Sequence, residues 1–523
     1  MYDIIIRNGN IVDGLGGEIY KADIGIRDDK IVAIGDLHNE KWDLEINATD
    51  KIVCPGFIDV NNHSDAYWQI FTNPTLESLA YQGITTIVGG NCGSSLAPLV
   101  DASAIASVQK WSDIKNINLN WLTLKEFLEV LETKKMALNF ATLVGHGTLR
   151  RGILKDQMKI AESKELAFIE KMLTQSFKDG AIGMSSGLVY THARAASIHE
   201  LIALAKIIKK YDGIYVTHVR DEREGIIKSI EEAILIAEES GVKLHISHLK
   251  IMGEKNWHLL DEVLFLIGRA KERGVDVTFD VYPYTSTGTV LYTLLPNWIS
   301  EGGKKMMLSR LRDLSIRQKI IKDMRESGFD YAKINIAASS LDKSLDKRNV
   351  GEIAKSHGKY PEEIVVDVLI ASEGRVITSM EVLNQENVDK LILHPLSMIG
   401  SNGSGYNVAH AKTGELVHPR SFGAFTRILA KYAMEERSIS WEEAVKKMTS
   451  IPAERFGIKD RGKLAENYFA DIVVIDRDKI EDMATTSNPY QYSKGVDFVL
   501  VNGQVVVSEG KHTGALNGEI IRR

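Results

Sequence analysis

The chain has 523 residues, more than one hydrophobic core usually serves, so a large domain with a smaller companion is the expectation. With 44% hydrophobic and 26% charged residues its composition is that of an ordinary globular protein, which excludes a disordered or fibrous one. The 64 basic and 70 acidic residues leave a net charge of −6 without any basic block, so nucleic acid is not an expected partner.

The first residues read as a strand entering a turn, without the charged and apolar regions of a signal peptide. No apolar run reaches the ~20 residues that cross a bilayer. Cys54 and Cys92 are the only cysteines, too few for a disulfide framework, so a reducing, cytoplasmic location without membrane attachment is expected. Residues 1 to about 56 alternate apolar and polar in short runs at 2–6, 24–27 and 31–34, broken by Asn-Gly, Gly-Gly and Asp-Asp turns, which predicts a small antiparallel β unit. The same texture returns at 470–476 and 496–507, after helical sequence around 441–456. Matching chain ends predict one β-sandwich from 1–56 and 455–523.

Between them, short apolar runs alternate with amphipathic stretches, the pattern of β-α units on a parallel sheet. Eight candidate strands fall near 57–62, 84–90, 138–144, 181–185, 213–217, 243–247, 275–281 and 396–401. That number favours an α/β fold with a closed (β/α)8 barrel, here 57–454, over an open sheet. The wide gap before the last strand predicts an inserted subdomain near 285–345.

In such barrels chemistry sits where the strands end, and here those ends carry His63, Cys92, His146, Ser185-Ser186, His218, His248, Tyr282 and Asn402. Cys92, His218 and His248 form the sharpest set. One thiolate and two imidazoles suit zinc and leave a fourth position for water. Taken singly, each is as well explained as a buried cysteine or a hydrogen-bonded core histidine. Zinc so held acidifies its water and polarises a carbonyl, as amide hydrolysis near neutral pH requires. Asn61 and His63, two residues apart, share one side of the first strand. His63 suits a weaker metal contact or a substrate contact, and Asn61 is a poor ligand, so a second metal is expected to be weak or absent.

Pro55-Gly-Phe-Ile-Asp-Val-Asn-Asn-His resembles the first-strand motif of the amidohydrolase superfamily, which normally ends His-x-His. Gly83-Ile-Thr-Thr-Ile-Val-Gly-Gly-Asn-Cys-Gly, Val144-Gly-His-Gly-Thr-Leu-Arg, Thr217-His-Val-Arg-Asp-Glu, Ile246-Ser-His-Leu-Lys and His418-Pro-Arg-Ser-Phe-Gly-Ala-Phe are similar to motifs of its D-aminoacylase branch, the N-acyl-D-amino-acid deacylases. The resemblance covers essentially the whole chain. It implies a barrel flanked by a β-sandwich, one tightly bound zinc at Cys92, His218 and His248, and hydrolysis of N-acyl-D-amino acids or a related amide.

Two positions depart from the family. Asn61 stands where it has the first histidine, and Asn402 where it has the aspartate expected to carry the catalytic proton. A carboxamide is no base. Three explanations stay open: an engineered substitution at Asn402, a natural homologue with altered chemistry or only a binding role, or another base, for which Asp65 and His146 are candidates. A small substrate bearing a carboxylate calls for a fixed cation, and Lys250, Arg420 and Arg220 qualify, although Arg220 could equally pair Asp221 or Glu222. Tyr190, Tyr282 and Tyr284 are candidate donors to the scissile carbonyl, Tyr190 first because Gly187-Leu-Val-Tyr resembles the family's substrate loop. Acyl group, side-chain specificity and oligomeric state are not set by these residues.

Overall fold

The computed structural model describes residues 1–101, 117, 119–155, 157–339 and 341–523. Among them, eight parallel strands follow one another in chain order around a barrel: Phe57–Asp59, Ile84–Gly89, Asn139–Gly145, Gly183–Gly187, Ile214–His218, Lys243–Ile246, Val277–Val281 and Ser397–Ile399. The ring closes where Asn62 pairs with Gly403, and His63 N donates to Gly403 O at 2.8 Å. Every residue of Ile84–Gly89 and Asn139–Gly145 is buried, so these strands read as small and apolar runs without the alternation of a one-sided sheet.

Inside the barrel, Ile58, Val88, Leu143, Ile182, Val216 and Met398 form a core that Phe456 and Ile458 close from the strands' N-terminal end. Arg455 fixes that plug by donating to the carbonyls of Leu244 and Asp276. The last residues run beneath the same end, where Ile521 N donates to Phe140 O at 2.8 Å. The surrounding helices start on side-chain caps. In Leu124–Lys134, Thr123 accepts from Glu126 N at 3.2 Å and the Glu126 carboxylate accepts from Thr123 N at 2.8 Å, an arrangement that contributes about 1 kcal/mol.

Both chain regions flanking the barrel join one sheet, nine-stranded among the described residues. Tyr2–Ile11 pairs antiparallel with Tyr20–Arg27 but parallel with Trp42–Asn47 and Ile52–Pro55, so the N-terminal unit is mixed where the sequence suggested an antiparallel one. Ile52–Pro55 pairs antiparallel with Ile472–Ile475, and the sheet continues through Val496–Val501 and Gln504–Ser508. A bridge from Lys30 to Phe469 curls it around its own core of Ile6, Ile24, Ile46, Ile472 and Leu500.

The insertion after the seventh strand runs further than 285–345. Its three-stranded antiparallel sheet has Val376–Glu381 in the middle, between Ser286–Val290 and Ile334–Ser339. Helices Gly303–Arg312, Leu314–Glu326, Val350–His357 and Pro361–Ala371 belong to the same insertion. No helix among the described residues is long and apolar enough to cross a membrane.

Candidate active site

Cys92 follows the second barrel strand on a turn that only glycine permits on either side. A Cβ on Gly90 (φ 74°) would lie 2.0 Å from Leu143 O, and one on Gly93 (φ 77°) 2.7 Å from Gly187 N. Ser185 braces both, accepting from Gly93 N at 2.9 Å and donating to Gly90 O. Cys92, His248 and Asn402 themselves sit at φ 52°, 37° and 47°, a left-handed conformation that non-glycine residues keep only where the surroundings impose it. All three line one cavity of about 380 Å³ at the barrel mouth.

The ligand atoms of Cys92, His218 and His248 lie within 4.8 Å of one another, and all three residues are buried. Cys92 Sγ is 3.3 Å from His248 Nε2 and 3.8 Å from His63 Nε2. Burial would raise the Cys92 thiol, but the His248 charge and the His218 and His63 rings hold it well below its usual value. For His218, burial lowers the pKa while Glu222 and Cys92 outweigh it and push it up to about 9. Both His218 ring nitrogens lack a hydrogen-bond partner among the described residues. A polarised thiolate and two imidazoles, one of them buried with unsatisfied nitrogens, fit a divalent zinc ion with a position to spare.

Glu222, considered from sequence only as a partner for Arg220, proves to be part of this centre. Its carboxylate stands 3.3 Å from His248 Nδ1 and 3.5 Å from His218 Nε2. Burial would raise its pKa, but Lys250 and His218 hold it well below the usual range. Lys250 Nζ bonds Glu222 and, at 2.9 Å, His248 Nδ1. Together they orient the His248 ring so that Nε2 faces Cys92, the support that metal-binding imidazoles usually need. The sequence signal was the spacing of four from His218.

His63 reaches the cavity, its Nε2 donating to Asn402 Oδ1 at 2.8 Å. Asn61 turns away: its Nδ2 donates to Asp280 Oδ1 at 3.1 Å, and Asp280 also binds His245 Nε2 at 2.9 Å. The candidate bases need correction, since neither Asp65 nor His146 is among the described residues that line the cavity. His146 Nε2 pairs with the buried Glu200 at 2.8 Å. Asp65 Oδ2 accepts from Gly90 N at 2.7 Å and so supports the Cys92 turn from beneath.

Among the cations, Arg220 pairs with Glu232 at 2.8 and 3.0 Å, neither of the partners suggested by sequence. Arg420 differs: it is buried over the Tyr282 ring, and its Nε and Nη1 have no partner among the described residues. Tyr282 and Tyr284 spend their hydroxyls on Thr287 at 3.0 Å and Asp482 at 2.9 Å, and neither lines the cavity. Tyr190 does line it, edge-on to His218 with ring centroids 5.4 Å apart. Burial and the nearby Cys92 hold its phenol well above the usual pKa, so it remains a donor.

A parallel barrel whose mouth gathers a thiolate and two imidazoles beside a solvent cavity defines a metal-assisted hydrolase of the TIM-barrel class. Residues 44–507 match the model of the Amidohydrolase family, and residues 1–56 that of the Urease alpha-subunit, N-terminal domain. The chain is 32% identical over 522 residues to a D-aminoacylase of Alcaligenes xylosoxydans xylosoxydans, covering 100% of this chain and 98% of the relative. It is likewise 32% identical to an N-acyl-D-glutamate deacylase of that organism, covering 100% and 96%. The crystal structure of N-acyl-D-glutamate deacylase from Bordetella bronchiseptica, complexed with zinc and a phosphonate mimic of the tetrahedral intermediate, aligns with a TM-score of 0.83 and 30% identity over 100% of both chains. The protein belongs to the amidohydrolase family, in its D-aminoacylase branch.

Proposed function

We propose that the chain is a cytoplasmic zinc-dependent hydrolase that cleaves the amide bond of N-acyl-D-amino acids. The observation that carries this reading is the convergence of Cys92, His218 and His248 within 4.8 Å beside a cavity that Arg420 also lines. One zinc ion held by these residues would polarise the amide carbonyl and make water acidic enough to attack it near neutral pH. Asn61, bound to Asp280, lends a second ion no support. The zinc present in the Bordetella relative agrees with this choice of metal.

The chain's own groups divide the remaining work. The unpaired donors of Arg420 receive the substrate carboxylate, which fixes the scissile bond relative to the three ligands. Tyr190 donates to the carbonyl oxygen as it gains negative charge. Glu222 and Lys250 keep His248 in place. His63 and Asn402 face each other where a proton must pass from water to the leaving nitrogen, and the carboxamide cannot take it. Loss of a positioned base costs ~10²–10⁴ in rate. Asn402 therefore favours a second reading, a homologue with weak or lost deacylase activity that acts on another amide or binds N-acyl amino acids.

Zinc-loaded protein assayed against a panel of N-acetyl- and N-formyl-D-amino acids, beside Asn402→Asp, separates the two. Measurable turnover by wild-type chain whose residue 402 is still the amide by mass, raised ~10²-fold or more in the variant, is the expected outcome. Turnover by the variant alone would leave the second reading, and none by either, with zinc bound, would sink the first; failure of both proteins also to bind the panel compounds or to cleave other amides and cyclic amides would sink the second.

A further inference from the structure

The loop after the eighth barrel strand contains an Asn-Gly pair, Asn402-Gly403. In such a pair the side-chain carboxamide is open to attack by the next backbone nitrogen, because glycine places no Cβ in the way. Asn402 is held at φ 47°. Its Oδ1 accepts from His63 Nε2–H at 2.8 Å, which withdraws electron density from Cγ and makes that carbon more electrophilic. Gly403 N–H donates to Ser401 Oγ at 2.9 Å, and that hydroxyl donates to the Asp59 carboxylate, giving the attacking nitrogen a path for its proton. Burial pushes Asp59 up to about 6 although Ser401 and Asn62 bond it, so it is ionised yet unusually basic at neutral pH. Asn402 also lines the cavity, where water is at hand.

We propose that Asn402 is a site of self-modification, its carboxamide converted to a carboxylate by attack of Gly403 N, with Ser401 and Asp59 relaying the proton and His63 polarising the carbonyl. Gly403 N forms a bond to Asn402 Cγ and closes a cyclic imide, while its proton passes through Ser401 to Asp59. The Cγ–Nδ2 bond breaks, and the departing nitrogen takes up that proton and leaves as ammonia. Water then adds at Cγ, the imide Cγ–N bond opens, and Gly403 N recovers a proton. One water is consumed, one ammonia is released, and nothing is oxidised or reduced. The product places a carboxylate against His63 beside the Cys92 cluster. This conversion does not depend on the substrate assigned above.

Peptide mass spectrometry of native protein incubated at neutral pH follows the tryptic peptide spanning 391–412, in which Asn407 is the internal control. The expected result is conversion at Asn402, with Asn407 intact, faster in the folded protein than in the same peptide free in solution. It appears as the mass gain of an NH2-to-OH exchange and as new cleavage ahead of position 402 by an aspartate-specific protease. Conversion already complete at purification, with the free peptide still amidated, supports the proposal equally. Ser401→Ala removes the relay while leaving the Asn-Gly pair, and slows the conversion roughly a hundredfold. A folded protein that keeps the amide while the free peptide loses it would show that the fold protects Asn402, and the proposal falls. It also falls if Ser401→Ala converts at the wild-type rate.

Discussion

Arg420 is buried over an aromatic ring with two donor nitrogens unmatched by any described residue, an arrangement that an anion entering the cavity would stabilise. Charge-assisted bonds to a desolvated guanidinium are strong and directional. Arg420→Met is expected to raise KM for N-acyl-D-amino acids by about 10- to 100-fold, as loss of ~1.5–3 kcal/mol implies, with a smaller effect on kcat. Steady-state kinetics over a substrate series checks this. A fall in kcat at unchanged KM would place the arginine in the chemical step instead. Lys250 is the contrasting case, a cation of the same cavity whose charge is already committed to Glu222.

At the scale of elements, the barrel's lower end is stoppered by the helix Ser450–Phe456. Phe456 packs among the interior strand residues and stands edge-on to His245, ring centroids 5.2 Å apart. Phe456→Ala leaves a cavity there and is expected to lower stability by about 3–5 kcal/mol in denaturant unfolding. The mouth is at the opposite end, so bound zinc per chain should stay unchanged. Coupled loss of metal and stability would mean that floor and mouth do not behave as separable parts. The clustering of Cys92, His218 and His248 is legible in the sequence because each follows a short apolar run that a parallel barrel must bury, and the type of side chain then declares itself. Glu222 is signalled only by its spacing of four from His218, and the Ser401–Asp59 contact not at all, since it depends on the path of the loop after the eighth strand, which carries no periodicity. Val376–Glu381 escapes for another reason: its pairing lies with strands far away in the chain.

For the molecule as a whole, the cavity is electrostatically unlike the rest. The chain carries a net charge of −6, yet among the described residues the cavity wall presents eight Lys and Arg side chains, of which Arg220 and Lys250 are paired with Glu232 and Glu222, against Asp221 and Glu222. Such a funnel raises the local concentration of anions, and dissolved salt screens it over about 8–10 Å. KM for a carboxylate-bearing substrate is therefore expected to rise as potassium chloride is increased across the physiological range, while kcat changes little. A salt-independent KM would confine recognition to short-range contact with Arg420.

The flanking sheet imposes an order on assembly. Ile52–Pro55 finds one of its neighbours only in Ile472–Ile475, some four hundred positions later. On the ribosome the early strands must therefore wait, with an open edge, until most of the polypeptide has emerged. Long-range pairing of this kind slows acquisition of the native state and exposes sticky edges meanwhile. Nascent chains halted before that later strand should be the ones that chaperones hold.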